Sequence, residues 1–182
     1  MMDIYFEKRE LRKKIKLLKQ DYSLEQKKEM SLSIWKQLEA TDVFREANII
    51  MAYWSMDDEV FTHDFIQKWY AEKKIILPVV RGTELELKEF KGIREMVAGE
   101  KYGIPEPIGP TFQQPESIAL IVVPGVAFDN NGNRMGRGKA YYDKLLRSSR
   151  AYKVGVCFPF QLRAHIPFDE LDVRMDKIII SS

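Results

Sequence analysis

The sequence predicts an α/β protein, a three-layer single domain over residues 1–182 with a mostly parallel central sheet flanked by helices. Three observations carry this. From residue 48 onward, short apolar runs alternate with amphipathic helical patterns, the texture of βαβ units. Ile118–Val123 is apolar at every position, as a strand covered on both faces must be. The 182 residues, 45% hydrophobic and 12% aromatic, suit one compact core and leave no room for a second large domain.

The first forty residues read as two helices. Ile4, Leu11, Ile15 and Leu18 share one helical face. Ser23, followed three residues later by Gln26, forms a capping box that starts a second helix running to about Leu38, with Met30, Ile34, Trp35 and Leu38 inward. Residues 48–53 are a strand, and Val60–Glu72 is helical with Phe61, Phe65 and Trp69 inward. Strands follow at 75–78 and, by alternation, at 85–87. Tyr102–Pro115, with four prolines, reads as a surface loop. Ile118–Val123, a helix over 139–148, and strands at 152–157 and 177–180 complete the set.

Composition narrows the function. With 29 Lys+Arg against 27 Asp+Glu, the net charge of +2 does not support wholesale nucleic-acid binding. Cys157 is the only cysteine, which excludes an intrachain disulfide and a cysteine-cluster zinc site; in its apolar run it reads as a buried, inert thiol. Acids and bases occupy the positions where a signal peptide would need an apolar run, and no stretch approaches the ~20 apolar residues of a membrane span. A cytoplasmic protein with no membrane partner is expected. His63 and His165 have no ligand spacing and read as structural.

The most informative segment is residues 124–143, Pro-Gly-Val-Ala-Phe-Asp-Asn-Asn-Gly-Asn-Arg-Met-Gly-Arg-Gly-Lys-Ala-Tyr-Tyr-Asp. It follows the most apolar strand and precedes a helix, so it lies at a strand's carboxyl end, where open α/β sheets bind ligands. Gly136 and Gly138 allow close backbone approach, Arg134, Arg137 and Lys139 add cations, and the next helix offers unpaired N–H groups. Together these form an anion cradle suited to phosphate. A glycine-rich hairpin turning at Asn130–Asn133 accounts for those four residues but not for the cations. The pattern is neither a P-loop nor a dinucleotide fingerprint, because Asn133 and Ala140 fall where the P-loop needs Gly and a hydroxyl.

Three further groups bear on chemistry. Residues 8–19 hold seven Lys/Arg and one acid; on a helix Lys8, Arg12 and Lys19 fall within about 40° of one another beside the apolar stripe. That border can face a crevice, or the run can be a solvated face. The turn Tyr53–Glu59 puts Trp54, Met56 and three carboxylates at the carboxyl end of an early strand, where a flat heteroaromatic could stack and pair with a carboxylate; an acidic turn with Trp54 packed inward fits the same residues. Asp143 and Asp176 could join phosphate oxygens around Mg²⁺, or cap a helix or pair with an arginine.

Taken together, these residues resemble the 5-formyltetrahydrofolate cyclo-ligase (5,10-methenyltetrahydrofolate synthetase) family. Its long Pro-Gly-x-x-Phe-Asp…Gly-Arg-Gly-x-Gly-Tyr-Tyr-Asp loop is matched by residues 124–143 and its basic Lys-Arg-x-x-Arg by Lys8–Arg12. Ser55–Glu59, Ile104–Pro107 and Asp176 match further pieces in the family's order, while Ala140 stands where the family usually has Gly. The resemblance implies an ATP- and Mg²⁺-dependent cyclisation of 5-formyltetrahydrofolate, polyglutamylated or not, to 5,10-methenyltetrahydrofolate, with ADP and phosphate released; a monomer is expected. By carry-over, Lys8, Arg9, Glu10, Leu11 and Arg12 with Arg134, Met135, Gly136, Arg137, Gly138, Lys139, Ala140, Tyr141 and Tyr142 bind ATP. Trp54 and Glu59, with residues 137–141, bind the folate; Arg137, Lys139 and Tyr141 are catalytic; Asp143 and Asp176 bind Mg²⁺.

Overall fold

A computed structural model describes residues 3–101 and 103–182. Helices α1 (Ile4–Leu18) and α2 (Leu24–Glu39) meet at a 3₁₀ turn, Lys19–Asp21. The capping box at α2 is present: Gln26 N donates to Ser23 Oγ at 3.2 Å and Ser23 N to Gln26 Oε1 at 2.8 Å. A short α3 (Asp42–Glu46), too brief for periodicity to reveal, precedes β1 (Ile49–Met51). There follow α4 (His63–Trp69), β2 (Lys74–Arg81), β3 (Glu84–Glu89), β4 (Met96–Ala98), β5 (Pro105–Pro107), β6 (Leu120–Val123), β7 (Ala127–Asp129) and β8 (Arg134–Met135). The chain ends with α5 (Tyr141–Ser148), β9 (Tyr152–Cys157), β10 (Leu162–Arg163) and β11 (Lys177–Ile180).

Six strands form the central sheet in the order β11-β9-β6-β1-β2-β3. All pairs are parallel except the β2–β3 hairpin. Alternate side chains go to opposite faces. Ile50, Ile75, Leu120 and Val122 pack with Ile34, Trp35, Leu38, Phe44 and Phe65 from α2, α3 and α4. Met51, Ile76, Ile121 and Val123 pack with Leu146 of α5 on the other side. Each such fully buried side chain contributes about 1.5–3 kcal/mol of transfer free energy. The expected three layers are therefore present, and Cys157 lies between them, its thiol pushed up to about 12 by burial.

The chain leaves β1 for β2 on one side and returns to β6 on the other, so strand order reverses between β1 and β6. Their carboxyl ends open into a crevice there, the place where open α/β sheets bind ligands.

Two local expectations need correction. The helix expected over Val60–Glu72 begins only at His63, because Ser55 and Thr62 bind each other reciprocally, each backbone N–H donating 3.0 Å to the other's hydroxyl. Thr62 Oγ1 also donates to Tyr53 O at 2.6 Å, which ties residues 60–62 to the β1 exit instead of the helix. The segment expected as loop pairs its Pro105–Pro107 with Met96–Ala98 in a two-stranded ribbon, an edge position that tolerates proline. Tyr102, at the start of that segment, lies outside the described residues.

Candidate active site

After β6 the chain enters a platform built around one carboxylate. Asp129 is fully buried; Oδ1 accepts from Asn131 N (2.9 Å) and Asn133 N (3.0 Å), and Oδ2 from Asn133 Nδ2 (2.9 Å) and Ile166 N (3.0 Å). Burial alone would raise its pKa, but these donors outweigh it and hold the carboxyl below the usual range. The Asn130–Asn133 turn is thus a real hairpin between β7 and β8. Gly132 is required in it: φ is +81°, and a Cβ would lie 2.5 Å from Met175 O.

Arg134 completes the platform. Its side chain is 4% exposed, with Nη1 donating to Pro124 O (3.1 Å) and Nη2 to Asp143 Oδ1 (3.0 Å). It therefore ties the end of β6 to α5 and does not reach into solvent.

Residues 137–140 form an exposed rim above this platform. Arg137 Nη2 donates to Asp58 Oδ1 (2.9 Å) and Glu59 Oε1 (3.1 Å), bridging the glycine loop to the Tyr53–Glu59 turn. Glu59 Oε2 accepts from Met56 N (3.0 Å), and Asp58 Oδ2 from Lys19 Nζ (2.9 Å). Burial works to raise the Asp58 pKa, but Lys19 and Arg137 prevail and lower it. Gly138 has φ +94°, and the Arg12 guanidinium lies 3.4 Å from where its Cβ would be; Arg12 Nε donates to Gly136 O at 3.0 Å. Tyr141 OH donates to Gly82 O at 3.4 Å, and Lys139 has no protein partner among the described residues. Trp54 forms the opposite wall, stacked on His63 with ring centroids 4.0 Å apart and close to Phe90 at 5.7 Å.

These groups enclose a cavity of about 520 Å³, lined among others by Trp54, Glu59, Arg137, Lys139, Tyr141 and Asp143. That is within the ~300–1,000 Å³ range of small-molecule sites. Of the basic helix, Lys8 and Arg12 line the cavity. Lys8, 8% exposed, is held by Asp169 (2.9 Å) and Asp172 (2.6 Å); Lys19 pairs with Asp58 and does not line the cavity, so the helix border faces the crevice at Lys8 and Arg12 only. Arg9 and Glu10 pair with each other on the exposed side, and Leu11 packs beside Ile15 in a small apolar cluster. A helix cannot present five consecutive residues to one crevice.

Comparison with known proteins identifies the family. The model of the 5-formyltetrahydrofolate cyclo-ligase family matches residues 5–181. The chain belongs to that family. It is 28% identical to the mouse 5-formyltetrahydrofolate cyclo-ligase over 94% of this chain and 92% of the mouse one. It is 32% identical to a probable cyclo-ligase of Schizosaccharomyces pombe over 82% of both chains. The solved 5,10-methenyltetrahydrofolate synthetase of Aquifex aeolicus superposes with a TM-score of 0.84 at 34% identity, covering 94% of this chain and 88% of that one.

The two carboxylates expected at Mg²⁺ occupy different places. Asp143 lines the cavity; Oδ1 is taken by Arg134, while Oδ2 has no protein partner among the described residues. Asp176 sits at the amino end of β11, where Oδ2 accepts from Lys153 N at 2.7 Å, and it is not part of the cavity wall. Among the described residues no three His, Cys, Asp or Glu side chains gather around a metal position. The free Asp143 oxygen at the cavity fits a phosphate-bound Mg²⁺, which takes one or two carboxylates, whereas the Asp176 carboxylate lies outside the cavity wall. The sequence reading also missed the partners of its cations: Asp58, Asp169 and Asp172 became visible only once the fold brought distant segments together. Among the described residues no helix is long and apolar enough to cross a membrane.

Proposed function

We propose that the crevice between β1 and β6 carries out the ATP-dependent closure of 5-formyltetrahydrofolate to 5,10-methenyltetrahydrofolate. The observation that supports it most is the Arg137 bridge: a cation of the glycine-rich loop lies 3.1 Å from Glu59, on the wall that also holds Trp54. Phosphate chemistry and an aromatic, carboxylate-bearing subsite thus meet at one point.

The formyl group is amide-like, and its oxygen is a poor leaving group. In the first step that oxygen attacks the γ-phosphorus of ATP, the bond to the β-phosphate oxygen breaks, and ADP leaves. N10 then attacks the activated formyl carbon; the carbon–oxygen bond breaks, phosphate departs, and N10 loses its proton to give the methenyl bridge. Such transfer needs positioning and cationic stabilisation more than covalent help from the protein. Arg137 and Lys139 face the transferring phosphoryl oxygens, and Tyr141 borders them from the start of α5. Arg12 and Lys8 flank the nucleotide, Lys8 exchanging part of its hold on Asp169 and Asp172. Trp54 stacks on the pterin and Glu59 accepts from its amino-pyrimidine edge. Mg²⁺, when it enters with ATP, supplies charge neutralisation at the phosphates, and Asp143 is the residue that would hold it.

The same reading makes the protein a cytoplasmic monomer without a nucleic-acid partner, acting on a folate with or without a polyglutamate tail. The test is a coupled assay for ADP release. Release is expected only when 5-formyltetrahydrofolate, ATP and Mg²⁺ are all present, with methenyl product formed one for one. ADP release independent of folate, or none, refutes the proposal.

A further inference from the structure

The rim raises a physical question that the reaction does not answer. Arg137 sits between two glycines on an exposed loop, and a long side chain there has up to ~2 kcal/mol of rotamer entropy to lose before it can act on a phosphoryl group. Something must hold it. The hold is built from two carboxylates on a single nitrogen, Asp58 at 2.9 Å and Glu59 at 3.1 Å, both on Nη2. Nε and Nη1 have no protein partner among the described residues and stay open for phosphate oxygens.

The two carboxylates are not equivalent. Glu59 lines the cavity, and on the reading above it is claimed by the folate once substrate enters. Asp58 does not line the cavity. Its second oxygen is fixed by Lys19, which is 8% exposed just after α1, a helix whose Ile15 is buried against Ala127 and Met135 of the platform. Asp58 is therefore gripped from behind by one cation and grips Arg137 in front. Its contact with Arg137 does not compete with substrate.

We infer that Asp58, held by Lys19, is a positioning residue that keeps the Arg137 fork aimed at the transferring phosphoryl group after substrate has drawn Glu59 away. This rests on the proposed phosphoryl-transfer role of Arg137. Asp58 is expected to act on kcat, because the aim of Arg137 matters in the transition state, and to leave folate binding to Trp54 and Glu59.

The experiment is a double-mutant cycle on kcat and on the KM for 5-formyltetrahydrofolate, with melting temperature recorded for each protein. Asp58→Ala should lower kcat about tenfold, the order of effect expected when a reacting contact is misplaced, with the folate KM within about twofold of wild type. Arg137→Ala should lower kcat by ~10²-fold. The double variant should match Arg137→Ala alone, since Asp58 has nothing left to position. If Asp58→Ala fails to fold, Asp58→Asn keeps the shape, removes the charge and replaces it in the cycle, with a smaller loss expected and the same absence of additivity. Wild-type kcat in the Asp58 variant, or losses that multiply in the double variant, overturns the inference while Arg137 keeps its role. Near wild-type turnover in Arg137→Ala overturns the inference and the functional reading together.

Discussion

Arg134 and Arg137 stand three residues apart in one glycine-rich motif and carry the same charge, yet they belong to different regions. Arg134 is 4% exposed and donates through Nη1 to Pro124 O and through Nη2 to Asp143, inside the platform centred on Asp129. Arg137 is half exposed on the rim and leaves most of its fork open toward the cavity. The platform is fixed by four N–H groups on the two oxygens of buried Asp129, whereas the rim is held by a few ion pairs at its edge. A motif rich in glycine and arginine thus divides its cations between building the site and working in it. Burial, which depends on partners far away in sequence, decides which does which.

Paired substitutions test the division, and the largest effect is expected at the platform. Arg134→Ala leaves Asp143 buried with an uncompensated charge, and breaking such a pair costs about 3–5 kcal/mol. For a chain of this size the melting temperature should fall by on the order of 10 °C. Arg137→Ala should instead leave melting unchanged while turnover drops by ~10²-fold. Equal melting temperatures for the two variants would erase the distinction between platform and rim.

That distinction was only partly legible in the sequence. The four consecutive apolar residues of β6 announced a strand buried on both faces, and the ~3.6-residue period put Lys8, Arg12 and Lys19 on one line beside the apolar stripe, open to either a crevice or solvent. Both are local signals. What each cation touches is not local: Asp58 lies 79 positions from Arg137, and Asp172 lies 164 from Lys8. The same limit explains why Arg9 and Glu10 were expected at the nucleotide, carried over as neighbours in a motif that the helix then turned outward. Asp176 shows the converse, a motif residue whose carboxylate is used to pin the start of β9.

Acid should act on the platform through Asp129. Its folded carboxyl is held below the unfolded value of about 3.9. The stability it contributes is therefore complete above that pH and lost as pH falls through the folded pKa. Asp129→Asn removes the charge at every pH, so wild type should be clearly more stable at pH 7 and the gap should narrow below about pH 4. A gap that stays constant down to pH 3 in urea unfolding would mean that the Asp129 charge is not what the surrounding N–H groups stabilise.

The smallest expected effect lies at the junction of rim and helix. Ala140 has φ +56° and ψ +14°, a left-handed conformation whose Cβ clash costs an L residue roughly 1–2 kcal/mol. The chain must turn left-handed there to hand the rim over to α5, a conformation Gly adopts without strain. Ala140→Gly removes the clash but gives the unfolded chain more freedom, worth about 0.4–1 kcal/mol in the opposite direction. Strain should prevail, leaving a net gain of about 0.5–1 kcal/mol and a melting temperature higher by about 1–4 °C. Because Ala140 is solvent-exposed and its carbonyl, not its methyl, engages Lys144 N, the α5 start should be unaltered by the change. A lower melting temperature for Ala140→Gly would mean that the methyl group serves the loop more by restricting the unfolded chain than it harms it by strain, and that the rim is better ordered than its exposure suggests.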